Sequence, residues 1–122
     1  MQIPKLKMDI YKATAKQRWK QEQHELSLSY SQKWALAKKA AELLKEKFGA
    51  QRVVVFGPIT KKELYHLHSD LDLAVWGLDK KLFHRAVAKL LELDLSQRID
   101  LVRLEDARDS LRSAIEQECV LV

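Results

Sequence analysis

The stretch RVVVFGPITKKELYHLHSDLDLAVW, Arg52–Trp76, decides how the chain is read. It opens on four β-formers, Val53, Val54, Val55 and Phe56, which leave no polar face and predict a buried strand over 51–56. Gly57-Pro58 stops that strand abruptly. The stretch closes on Asp70-Leu71-Asp72-Leu73-Ala74-Val75, where acid and apolar residues alternate and predict a second strand over 71–76. Side chains at i and i+2 of a strand point the same way. Asp70 and Asp72 therefore share a face, which suits holding a divalent cation in common. Between the strands, ITKKELYHLHS is too polar for a strand and short for a helix, so one helical turn and a loop fit it.

Upstream, residues 31–48 read as a helix. Trp34, Ala37, Ala41, Leu44 and Phe48 recur at spacings of three and four, Ser31 is the expected N-cap and Gly49 the expected C′ residue. Residues 9–25 are rich in helix formers, with Asp9 as N-cap after Pro4 closes a disordered start. Their apolar stripe of Ile10, Ala13 and Trp19 is thin, so this piece needs a packing partner. LSLSY, 26–30, is either a break or a bend in one long helix. Downstream, Asp79 caps a helix over 80–93 that buries Leu82, Phe83, Ala86, Leu90 and Leu93. RIDLV, 98–102, is a third strand with Asp100 in an apolar setting. Asp106 caps a last helix over about 107–117, and the apolar tail Cys119–Val122 tucks against the sheet or a partner. The expected fold class is α/β (α+β): a small mixed sheet packed with helices and preceded by a long N-terminal helix. The expected organisation is a helical extension, 1–30, and one compact domain, 31–122.

At 122 residues and 47% hydrophobic, the chain has the length and apolar content of one globular domain. No apolar run approaches the roughly 20 residues that span a bilayer. The first residues lack the apolar core of a signal peptide, and the single Cys119 forms no internal disulfide, so a cytoplasmic setting is expected. Charge is uneven: residues 1–50 carry eleven Lys/Arg against five Asp/Glu, and residues 51–122 eleven against twelve, giving +6 and −1. The basic half suits an acidic protein or a nucleic acid, or is simply a solvated helix face. A nucleic-acid role has the least support, because no recognition motif accompanies the charge.

Asp70, Asp72 and Asp100 each interrupt an apolar strand. Gathered on one sheet face they would repel one another and raise one another's pKa values. A divalent cation relieves this, and oxygen-only ligands suit Mg²⁺ or Mn²⁺. Two ions so held stabilise the attacking and leaving oxygens of phosphoryl or nucleotidyl transfer. Gly57 lets backbone approach a phosphate, the short turn after it aims N–H groups at an anion, and Lys61 and Lys62 lie within reach of a triphosphate. His66 and His68 lack further transition-metal ligands nearby and read as loop residues, and Cys119 as a small apolar residue.

VVVFG, a twelve-residue spacer, DLDLAV and the later RIDLV together resemble the minimal nucleotidyltransferases of the DNA polymerase β-like superfamily over roughly residues 33–117. The resemblance implies metal-binding and catalytic roles for Asp70, Asp72 and Asp100, and nucleotide contacts from Gly57, Pro58, Lys61, Lys62 and Ser69. The lysine-rich N-terminal helix also looks like the antitoxin branch. Its members transfer AMP from ATP to a tyrosine of a HEPN-type ribonuclease toxin and silence it. One departure stands out: the family's Gly-Ser is Gly57-Pro58 here, and Pro58 supplies neither hydroxyl nor N–H. The resemblance therefore implies either a working adenylyltransferase or an antitoxin that acts mainly by binding its toxin.

Overall fold

A computed structural model describes residues 4–122. The expected irregular start, residues 1–3, lies outside the described residues.

One helix, α1, runs unbroken from Lys5 to Phe48. The Ser-containing 26–30 segment does not interrupt it, because both flanks are strong helix formers and Leu26 and Tyr30 pack against the core. Pro4 therefore occupies the N-cap, Asp9 and Ser31 are ordinary helical positions, and no acid lies in the first turn. The C-terminus ends as the sequence predicts. Gly49 adopts φ 71°, and the Gly49 and Ala50 N–H groups both donate to the Leu44 carbonyl, closing the last turn. Lys33, Leu36, Ala37, Ala40, Ala41 and Leu44 are buried; Trp34 and Phe48 only flank the core.

Four strands form one sheet in the order β3-β2-β1-β4: β1 Arg52–Phe56, β2 Leu71–Trp76, β3 Ile99–Arg103 and β4 Val120–Leu121. β1 runs antiparallel to β2 and β4, while β2 and β3 are parallel. A parallel pair needs a crossover, and helix α2, Phe83–Leu93, supplies it. Asp79 accepts the Lys81 N–H at 2.9 Å at the head of the short turn Lys80–Leu82 that leads into α2, while Leu93 turns outward instead of joining the buried face. The last helix, α3, spans Asp109–Glu118. Its N-cap is Arg108, not Asp106; Asp106 instead receives an ion pair from Arg103 at 2.6 Å.

Strand alternation sorts the core into two parts. Val53, Val55, Leu71, Leu73 and Val75 pack beneath α1 and α2. Val54 and Ala74 face the other way, with Leu104 and with Ile115 of α3. The sheet is thus covered by α1 and α2 on one face and by α3 on part of the other. The apolar tail becomes β4, paired to Val54 and Val55 of β1. Among the described residues no helix is long and apolar enough to cross a membrane.

Candidate active site

Register brings the acids together. Asp72 of β2 stands directly opposite Asp100 of β3, so the two side chains share a face with neighbouring strands about 4.8 Å apart. Asp70 lies two residues before Asp72 and joins that face. It is the face of Val54 and Ala74, at the end where α3 does not cover it. Asp70 and Asp100 are partly exposed, and Asp72 is the more enclosed of the three.

Electrostatics follow from this crowding. Burial, then the charges of Asp100 and Asp70, push the Asp72 pKa up to about 6, and Lys33 opposes the rise. Lys33 is the counter-charge the sequence did not reveal. It projects from α1, is only 3% exposed, and has its Nζ 5.4 Å from the centre of the Tyr65 ring. Burial lowers its pKa, and the nearby Asp70 and Asp72 charges pull it back up. On the solvent side, Arg98 Nε lies 3.7 Å from Asp70 and 3.8 Å from Asp100. Its side chain is 76% exposed, so it neutralises the acids weakly.

Gly57 abuts this cluster for a steric reason. Its φ of 82° and ψ of −160° suit only glycine, and a Cβ there would collide with an Asp72 carboxylate oxygen. Phe56, the residue before it, is the β1 partner of Asp72. Gly57 thus makes room for the carboxylate as well as ending the strand.

The loop after Gly57 differs from the single turn expected. Two short 3-10 turns, Pro58–Thr60 and Lys62–Leu64, replace it. The Thr60 N–H and hydroxyl both return to the Gly57 carbonyl, and the Lys61 N–H goes to the Pro58 carbonyl. Those donors are satisfied inside the turn, and Pro58 has none to offer. Lys61 pairs with Glu118 of α3 at 3.2 Å, while Lys62 lies 5.8 Å from the centre of the Tyr30 ring on α1. Neither lysine is ion-paired with the three acids. Ser69 is buried and its hydroxyl accepts the His66 N–H at 3.0 Å, fixing the turn that delivers Asp70 to the sheet. His66 and His68 are exposed in that same turn, where the His68 N–H reaches His66 Nδ1 at 3.2 Å. Cys119 packs against the Val54 side of the core.

An open cleft of about 180 Å³ lies beside the acids, lined by Lys33, His68, Ser69, Asp70, Gln97 and Arg98. That is below the roughly 300 Å³ of a typical ligand pocket, so a nucleotide-sized molecule would lie partly across the open sheet face. Among the described residues no three His, Cys, Asp or Glu side chains stand ready to hold a metal ion. The donor chemistry nonetheless fits one. Three carboxylates share a face, burial and then their mutual repulsion raise the Asp72 pKa, and drawing them around a hard cation would relieve the repulsion.

Residues 38–122 match the family model described as polymerase beta, nucleotidyltransferase. The chain belongs to this family. Solved relatives agree with the fold. A minimal nucleotidyltransferase is 28% identical, with a TM-score of 0.56 over 80% of this chain and 95% of its own. A toxin–antitoxin complex with AMP-PNP contains a chain 26% identical, with a TM-score of 0.59 over 70% of each. A chain from the complex of a tri-AMPylated Shewanella oneidensis HEPN toxin with its MNT antitoxin is 22% identical, with a TM-score of 0.56 over 73% of this chain and 70% of its own, a likeness of fold alone. No curated protein sequence matches. The nucleotidyltransferase family and the mixed fold expected from the sequence are both found.

Proposed function

We propose that this chain is an antitoxin-type nucleotidyltransferase that moves AMP from ATP onto a tyrosine hydroxyl of a HEPN-type toxin. The observation that carries this is the pairing of Asp72 with Asp100 across β2 and β3, with Asp70 on the same face and Gly57 packed against Asp72. The tri-AMPylated toxin of the Shewanella oneidensis complex and the nucleotide-bound toxin–antitoxin complex supply the chemistry by likeness.

In this reading Asp70, Asp72 and Asp100 hold Mg²⁺ or Mn²⁺, which when bound offsets charge on the phosphates. Asp100, on β3 and more open than Asp70, takes the proton of the attacking tyrosine hydroxyl. The tyrosine oxygen bonds to the α-phosphorus, the bond from that phosphorus to the bridging oxygen breaks, and pyrophosphate leaves. Lys33 partly offsets the charge of Asp72 from beneath. Gly57 keeps the carboxylate of Asp72 clear of backbone, and Ser69 holds the entry to β2. Nucleotide contacts fall to Gly57, Pro58 and Ser69, with Lys61 and Lys62 free to join only by leaving Glu118 and Tyr30.

Transfer of labelled AMP to a HEPN-type toxin tests the proposal, the candidates being any such protein encoded beside this chain. Wild type should transfer, and Asp70→Ala with Asp72→Ala should lower the rate by about 10³ or more. Absence of transfer with ATP, Mg²⁺ and that toxin overturns it. A second reading is favoured by Pro58, which lacks the donors the family serine supplies: the chain neutralises the toxin by binding alone. Protection from the toxin that survives the double substitution selects that reading.

A further inference from the structure

We propose that residues 5–28 of α1 form a docking arm for an apolar, acid-rimmed helix of a partner protein. This rests on the reading of a protein partner given above and names a surface for it outside the active site.

Residues 5–25 are all exposed, some 21 helical residues or about 31 Å, and none of them belongs to the buried core. Such a helix is marginal alone, since helices of this length draw most of their stability from packing. The arm also lies outside the family match, which starts at residue 38.

Its sequence is not that of a solvated spacer. Inside the domain, α1 buries a stripe through Leu26, Tyr30, Lys33, Ala37, Ala40 and Leu44, spaced alternately by four and three. Continued toward the N-terminus at the helical period of 3.6 residues, the same face runs through Glu22, Trp19, Ala15, Tyr11 and Met8. The line that is core in one half of the helix is open to water in the other: Trp19 is 60% exposed and Tyr11 61%. By helical geometry Lys12 and Lys16 flank this line on one side, and Lys7 and Arg18 on the other. An apolar line between basic rails is the arrangement that pairs with an apolar helix carrying Asp and Glu at its rims.

Charge favours a protein over nucleic acid as the occupant. Residues 5–28 hold six basic and three acidic residues, net +3, and Glu22 sits on the stripe itself where a phosphate would be repelled. The rails also disfavour a second copy, whose arm would bring like charges together.

Calorimetric titration of the chain with the HEPN-type toxin that it AMPylates or protects against tests this. Tyr11→Ala with Trp19→Ala should weaken binding by about tenfold or more. Reversing Lys7, Lys12, Lys16 and Arg18 to Glu should weaken it at low salt, with the gap narrowing as salt rises. Because these residues are exposed, thermal melts should match wild type. Asp70→Ala with Asp72→Ala should bind as wild type. Arm variants that bind within twofold of wild type overturn the arm while leaving the partner reading intact; failure of the wild type to bind overturns both. Unchanged toxin binding accompanied by lost self-association in sedimentation, or by lost affinity for duplex DNA, overturns it in favour of those occupants.

Discussion

On one face of the sheet Val53, Val55, Leu71, Leu73 and Val75 are fully buried beneath α1 and α2. On the other, Asp70, Asp72 and Asp100 crowd together with water on one side and only Lys33 and the exposed Arg98 as counter-charge. The same two strands, alternating residue by residue, supply stability to one layer and strain to the other. Leu73 and Asp72 are neighbours in sequence and opposites in role: the first is satisfied in the apo fold, and the second is held where its charge is unwelcome. A site that collects like charges before its ligand arrives draws on stability generated across the sheet.

Adjacent substitutions separate the two roles. Leu73→Ala should destabilise the fold by about 3 kcal/mol through lost burial and a residual cavity, read by chemical denaturation. Asp72→Ala should remove AMP transfer without that loss. An Asp72→Ala variant as unstable as Leu73→Ala would break the comparison. A smaller effect is expected at the rim. Pro58→Ser restores a hydroxyl and an N–H beside Gly57, and should raise kcat/KM for ATP by about tenfold or more, by analogy with restoring an oxyanion donor. An unchanged rate would mean that the acids and not the turn limit the reaction.

The smallest effect is in pH dependence. Folded Asp72 keeps its proton to about pH 6, above the ordinary 3.8, so its contribution to stability is full below pH 3.8 and is lost as pH rises through 6. Asp72→Asn should therefore be more stable than wild type by about 1–2 kcal/mol at pH 8, discounting for water at the site's open side, and equal to it near pH 3.5. Thermal melts with a chelator present read this difference, and adding Mg²⁺ should narrow it at pH 8. A gap that is the same at both pH values would remove the electrostatic account of Asp72.

The strands were legible because their signals are local. Four consecutive β-formers, Gly57, and the alternation of Asp and Leu mark β1, the turn and β2 without reference to distant residues. The acid cluster followed, since i and i+2 parity fixes a face and Asp100 repeats the pattern. Lys33 was hidden in a helix with many lysines, where a basic residue reads as solvated. Its one signal was its place on the apolar line between Tyr30 and Ala37. The divergence of Lys61 and Lys62 was not legible, because sequence proximity says nothing of direction and 3-10 turns send one to α3 and the other to α1. β4 pairs residues more than sixty positions apart, which no local pattern encodes. The continuity of α1 through Ser27 and Ser29 depends on Leu26 and Tyr30 packing on the domain, a tertiary effect that overrides weak local propensity.

That continuity has a mechanical consequence. Trp19 and Lys33 are fourteen residues apart on one unbroken helix, about 21 Å of rigid rod with no hinge between them. Trp19 and Lys33 belong to one rod, and Lys33 is, among the described residues, the buried cation beside Asp70 and Asp72. Helix α1 is therefore a beam clamped by the core from Leu26 and Tyr30 onward, with Trp19 on its free overhang and Lys33 just inside the clamp, beside the carboxylates.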